Sequence, residues 1–237
     1  MKILGIDTSG YTNAIGVIDS DRVLADFTFE ARTDSLQKIV SNIDIALKSA
    51  DLRLGDIQGF GVGLGPGSWT GIRVGVTVGK ILAYSTKKPV SGVPTLEVLA
   101  YSLRKTTALI CSIINAGAGD TVYAAFYRHK NGMTERVGDY YVGDIKRLAD
   151  MLKEPTVLIG AEAQAYSQLI GQALGSEKID IEAVEEVPKG TAVALLAATR
   201  LERGESGDAL SLSPLYLKES TAKAFLSRYS PDTQTKG

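Results

Sequence analysis

The sequence predicts an α/β fold made of two halves with the same plan, and three observations carry that reading. Short β-rich runs alternate with segments of helical apolar spacing along 237 residues. The order strand–turn–strand–strand–helix–strand–helix occurs twice, and the break between the two copies falls near Leu103. The copies share a pattern and no sequence identity worth quoting. The length suits one large domain or two small ones. The expected divisions are residues 1–103, residues 104–226 and a polar, disordered tail at 227–237.

The elements follow in order. Lys2–Ile6, Ala14–Ile18 and Arg22–Glu30 read as an antiparallel meander, with turns at Asp7-Thr8-Ser9-Gly10 and Asp19-Ser20-Asp21. Asp34 or Ser35 can cap the helix that comes next. In it Leu36, Ile39, Val40, Ile43, Ala46, Leu47 and Ala50 form one apolar stripe. Gly59–Leu64 is a buried-type strand, Gly65-Pro66-Gly67-Ser68 a loop, and Trp69–Tyr84 a second helix. Val90–Val93 is a short strand, and Thr95 is the expected cap of a helix running to Leu103.

The plan then restarts. Strands are expected at Leu109–Ile114, Thr121–Tyr127, Arg136–Val142 and Thr156–Ile159. Helices are expected at Gly143–Leu152, Glu162–Leu174 and Thr191–Glu202.

Composition removes several function classes. The apolar fraction of 44% is that of an ordinary globular protein. A net charge of −1, with no dense basic stripe, gives no global field for nucleic acid or anionic membrane. The N-terminal MKILGIDTSG lacks the apolar core of a signal peptide, and no run reaches membrane length, so the chain is expected in the cytoplasm and off the membrane. The single cysteine, Cys111, lies in the apolar run 108–114 and reads as a buried core thiol in a reducing compartment.

Few residues have the types and spacing that chemistry requires. Asp7-Thr8-Ser9-Gly10 can cradle a phosphate, with Asp7 toward magnesium, or can simply be an Asx turn. Gly65-Pro66-Gly67-Ser68-Trp69-Thr70-Gly71-Ile72-Arg73 places glycines and a capping serine before a helix N-terminus, which suits either an anion or a tight structural turn. It is neither a P-loop nor the dinucleotide fingerprint. Gly71, Gly75, Gly79 and Ala83 recur every four residues and make a side-chain-poor face. Each glycine costs roughly 1 kcal/mol against alanine in a helix, so a closely approaching element is implied, either a helix of this chain or one of a partner. His129 is the only histidine, which rules out histidine-paired zinc or iron within the chain and leaves Ser-His-Asp and Cys-His arrangements without support. Asp120 with Asp139 or Glu162 could form a carboxylate pair in principle, but carboxylates on such surface turns read as solvated. No catalytic residue and no metal site are expected.

Three stretches carry a family resemblance: the N-terminal ILGIDTS, the block GVGLGPGSWTGIRVGVTVGKILA, and KPVSGVPTLEVLA. Over residues 2–103 they closely resemble the TsaB (YeaZ) family, the bacterial partner proteins in synthesis of N6-threonylcarbamoyladenosine on tRNA. The likeness continues more weakly through 115–127 and Pro214-Leu215-Tyr216-Leu217-Lys218. The resemblance implies two ribonuclease-H-like halves of the actin, Hsp70 and sugar-kinase fold (ASKHA). It implies a degenerate paralogue of TsaD, the subunit that holds metal through paired histidines and transfers the threonylcarbamoyl group.

The implied partners are TsaD, as a heterodimer through the two N-terminal helices, and TsaE, which docks on the pair. A homodimer is implied where TsaD is absent, and tRNA is met mainly through the complex. ATP or ADP and a metal belong to the partner subunits, with no cofactor in the isolated chain. The expected partner-binding residues are Leu36, Ile39, Val40, Ile43 and Leu47 on the first helix, and Gly71, Ile72, Gly75, Gly79 and Ala83 on the second.

Asp7, Thr8, Ser9 and Asn115 are expected as a vestigial nucleotide site. Three departures from the pattern stand out. Asp34-Ser35 replaces a His-Ser pair frequent in the family, Asn115 replaces an aspartate of nucleotide-binding relatives, and Ile159-Gly160-Ala161-Glu162 has one glycine where adenosine binders carry two. The alternative function is an ATP-dependent small-molecule kinase of the same fold, against which Asn115 and Gly160 count. A metallopeptidase, a third reading, is opposed by the single histidine.

Overall fold

The structure is a computed structural model that describes residues 1–30, 38–117, 119–174, 180–205, 207 and 209–217. The expected cap at Asp34 or Ser35, the partner residue Leu36, Lys218 and the tail 227–237 lie outside the described residues.

The first half holds β1 (Lys2–Asp7), β2 (Thr12–Asp19) and β3 (Arg22–Glu30), then α1 (Ile39–Ser49) and a 3-10 turn at Leu54–Asp56. It continues with β4 (Gly59–Gly63), α2 (Trp69–Thr86), β5 (Val90–Val93) and α3 (Thr95–Ser102). The second half holds β6 (Leu109–Asn115), β7 (Thr121–Lys130), β8 (Met133–Asp144), α4 (Ile145–Ala149), β9 (Thr156–Gly160), α5 (Ala163–Leu174) and β10 (Ile181–Glu185). The last helix is α6 (Gly190–Glu202).

Each half builds a five-stranded sheet, and the two orders are the same. One runs β3-β2-β1-β4-β5 and the other β8-β7-β6-β9-β10. In both, the meander is antiparallel and the last two strands join in parallel. This matched order is the repeat that the sequence pattern predicts.

The layers follow from which faces are apolar. Leu4, Ile6, Ile15 and Val17 face Ile39, Ile43 and Leu47 of α1 and Ile72 and Val76 of α2. The opposite face of the same sheet takes α6, through Val193, Ala194 and Ala197. Gly5, Gly16 and Gly61 make that bed, because a Cβ there would fall 2.2 Å from Gly190 O, 2.1 Å from Thr191 N and 2.7 Å from Ala197 Cβ. The helix between residues 190 and 202 thus packs on the first sheet, although it follows the strands of the second. In the middle, α3 covers one face of the second sheet with Leu96, Leu99 and Ala100, and α4 and α5 cover the other with Leu148, Tyr166 and Ile170. Glu97 on α3 receives both a 2.8 Å and a 2.7 Å bond from Arg200 on α6, which ties the middle layers together.

Three local expectations are corrected. Thr95 is not a capping residue: Pro94 holds the cap position of α3, and the Thr95 hydroxyl turns to Asp7. The helix expected over 143–152 is only Ile145–Ala149, because β8 continues to Asp144, whose side chain caps the turn. Ile181–Glu185 is an additional edge strand. Its two glutamates, in Ile-Glu-Ala-Val-Glu, interrupt the apolar run that would announce a strand.

Candidate functional site: two closed turns and an exposed helix pair

Asp7, at the end of β1, is buried together with Thr8 and Ser9. Its Oδ1 accepts the Ser9 amide (2.8 Å) and the Ser9 hydroxyl (2.6 Å), and its Oδ2 accepts the Thr95 hydroxyl (2.9 Å). Burial nonetheless pushes the Asp7 carboxyl above its ordinary value, with the Ser9 and Thr95 bonds pulling the other way. The loop before α2 lies directly on this turn. Ser68 N–H donates to Ser9 O at 2.6 Å, and a Cβ on Gly67 (φ +152°) would meet that same oxygen at 2.1 Å. Ser68 also caps α2, as the sequence predicts, accepting from Gly71 N at 3.2 Å. The glycine-rich loop therefore serves as a lid on the Asp7 turn.

The turn of the second half is engaged in a similar way. Asn115 Nδ2 donates to Glu162 (3.1 Å), and its Oδ1 accepts the Gly117 amide (2.7 Å). Glu162 also accepts the Tyr166 hydroxyl at 2.6 Å, so it is not the solvated carboxylate that the sequence suggests. Among the described residues no group of three or more His, Cys, Asp or Glu side chains is placed to hold a metal. Cys111 is buried, and burial pushes its thiol up to about 12. His129 is half-buried: Nε2 lies 3.1 Å from Ala100 O and Nδ1 3.1 Å from the Thr134 hydroxyl. A carbonyl only accepts, so the proton sits on Nε2. Among the described residues no helix is long and apolar enough to cross a membrane.

The glycine face of α2 is corrected outright. Gly71, Ile72, Gly75, Gly79 and Ala83 are buried within the protein. A Cβ on Gly71 would fall 2.0 Å from Thr8 O, on Gly75 2.3 Å from Thr8 Oγ1, and on Gly79 2.3 Å from Val62 Cγ2. The close neighbours are the Asp7 turn and β4, so these residues are not available to a partner. Ile39, Ile43 and Leu47 of α1 likewise point into the core. Of the expected partner-binding residues that are described, Val40 is the one facing solvent, 62% exposed.

A different set lies outward. On α2, Ile81 and Tyr84 are 60% and 69% exposed, and Val74, Val78 and Leu82 are half-buried beside them. Val40 lines a groove formed by α1 and residues 51–56, which Leu82 of α2 also reaches and which holds the Asp44–Lys48 ion pair. Helix α2 thus exposes Ile81 and Tyr84 among polar residues such as Arg73 and Thr77 on its outer side, and is glycine-lined within. The apolar Ile81 and Tyr84, lying off the glycine face, were the readable signal of this exposed surface.

Comparison with known proteins gives this geometry a family. A family model described as "TsaD: tRNA N6-adenosine threonylcarbamoyltransferase" matches residues 29–223. The "tRNA threonylcarbamoyladenosine biosynthesis protein TsaB" of Bacillus subtilis is 33% identical over 227 residues, covering 94% of this chain and 97% of its own length. The chain belongs to the TsaB (YeaZ) family. The Escherichia coli protein of the same name is 28% identical over 229 residues, covering 94% of this chain and 96% of its own. A solved structure described as "YeaZ from Pseudomonas aeruginosa" superposes with a TM-score of 0.79 at 22% identity, covering 91% of this chain and 99% of that one. The ROK hexokinase of Thermus thermophilus superposes at 0.51 with 14% identity, covering 86% and 100%. These likenesses give the fold: two ribonuclease-H-like halves of the actin and sugar-kinase class, shared by TsaB-family and kinase chains alike.

Proposed function

We propose that this chain is a non-catalytic subunit in the synthesis of N6-threonylcarbamoyladenosine, formed on the adenosine next to the anticodon of tRNAs that read codons beginning with A. It binds a TsaD subunit through the outer face of α1 and α2, and TsaE docks on the pair. The carrying observation is that outer face, where Val40 lines a groove with Leu82 and where Ile81 and Tyr84 stand exposed on α2. Apolar surface gathered on two adjacent helices suits a second helix pair. The engaged turns support the same reading, because neither Asp7 nor Asn115 has its polar groups turned to a ligand. They weigh against the alternative, an ATP-dependent kinase of the same fold. ATP or ADP and the metal then belong to the partner subunits, and the protein works in the cytoplasm. Where TsaD is lacking, the same face serves a homodimer. With a net charge of −1, the chain contributes little of the charge that dominates RNA affinity, so tRNA is held mainly by the complex.

The purified chain should hydrolyse ATP no faster than background and modify no tRNA, and should raise the output of TsaD with TsaE when added to them. Turnover by the isolated chain that survives Asp7→Asn would overturn the proposal, as would a TsaD reaction indifferent to its presence.

A further inference from the structure

Helix α2 has an unusual support. Its inner face carries Gly71, Gly75 and Gly79 beside Ile72, Val76 and Ala83, so fewer side-chain ridges than usual interlock the helix with its bed and set its position along the axis. Inside, one side-chain hydrogen bond grips it: the Thr8 hydroxyl donates to Gly71 O (2.6 Å) in the first turn. The third turn is held from the flank by the chain that follows α6. Lys80 Nζ donates to the carbonyls of Leu210 (2.8 Å) and Leu212 (3.0 Å). A second grip lies at the first turn. Tyr216 packs on Trp69 with ring centroids 4.4 Å apart, the Arg73 guanidinium lies 4.2 Å over the Trp69 ring, and Arg73 Nε donates to the Tyr216 hydroxyl at 3.1 Å.

The strap is itself anchored to the first sheet. Gly207 N–H donates to Val90 O (3.1 Å), Leu215 N–H donates to Leu64 O (2.8 Å), and Leu212 is buried in the core under α2. Its last described residue, Leu217, packs on the cluster of Leu96, Leu99 and Ile110 around the second sheet.

We propose that this strap, Gly207 with residues 209–217, is a bracket that fixes α2 for docking, and that Lys80 and Tyr216 are positioning residues for the binding of a second actin-like subunit. The inference rests on the docking reading above. Lys80 and Ile81 are consecutive, so the bond that pins the third turn sets the angle at which Ile81 and Tyr84 face a partner. The charged bonds of Lys80 to two carbonyls are short and directional, and the aromatic stack fixes the other end of the helix. Released, α2 keeps its core contacts but loses a single rotational setting, and an incoming helix must restore it.

Trp69 is the only tryptophan, and it reports the strap directly. Lys80→Met keeps the apolar stem and removes both bonds, and Tyr216→Ala removes the stack. Tryptophan emission, acrylamide quenching and thermal unfolding are measured on each variant and on the double variant, and affinity for purified TsaD on the same samples. Ile81→Asp, on the outer face and outside the bracket, is the reference. We expect the double variant to remain folded, with red-shifted, more quenchable Trp69 emission and TsaD affinity lower by about tenfold. Lys80→Met alone should weaken binding without the spectral change. Released Trp69 with wild-type affinity, while Ile81→Asp abolishes binding, overturns the bracket and leaves the docking face standing. Unchanged emission in the double variant also overturns it. Wild-type affinity in Ile81→Asp overturns the docking reading, and the bracket with it.

Discussion

Gly75 and Asp7 show how much a single position decides. Gly75 faces Thr8, whose hydroxyl is committed to Gly71 O, so a larger residue has no room without breaking that bond. Gly75→Leu should therefore destabilise the fold by about 1–3 kcal/mol, lowering the melting temperature by roughly 3–10 °C, although leucine is the better helix former by about 1 kcal/mol. A variant that melts with the wild type would contradict the packing described. Asp7 makes a pH-dependent claim. Its folded pKa lies above the ordinary 3.8, so its stabilising share is present below that value and is lost as pH rises through the folded one. Across that window Asp7→Asn should gain stability relative to the wild type and then level off. Chemical denaturation of both proteins at a series of pH values tests this, and a difference moving in favour of the wild type as pH rises would contradict it.

At the scale of elements, the strands and helices were largely legible, and their neighbours were less so. The spacing of Gly71, Gly75 and Gly79 correctly announces a close approach, but a period identifies a face and not what lies against it. The Asp7 turn, some sixty residues away in sequence, lies against Gly71 and Gly75, and Val62 of β4 lies against Gly79. The stripe on α1 is likewise real, and its members Ile39, Ile43 and Leu47 serve the core; the outward Val40 is the exception within that stripe. Thr95 shows the other kind of miss. Its position suggests a helix cap, yet the Asp7 carboxylate and the Gly65 amide both reach its hydroxyl, contacts that no local pattern contains. The strap is the least legible element, because Leu210, Leu212 and Tyr216 have no regular period and act through carbonyls and one ring.

At the scale of the whole molecule, two sheets of one topology enclose a shared middle layer of α3 and α6, bolted by Glu97 and Arg200. That arrangement places α1 and α2 on the outside of the first sheet, with Val40, Ile81 and Tyr84 exposed. The candidate nucleotide turns, by contrast, are tied to groups of the chain itself. The central claim is that the molecule acts by lending the α1–α2 face to a catalytic relative. The most direct measurement is threonylcarbamoyl transfer to tRNA by TsaD with TsaE, titrated with this chain and with a Val40→Asp, Ile81→Asp double variant. Burying two carboxylates in an apolar interface should raise the concentration needed for half-maximal transfer by roughly a hundredfold or more, with thermal stability near that of the wild type. A double variant that supports transfer at the wild-type concentration would contradict the account.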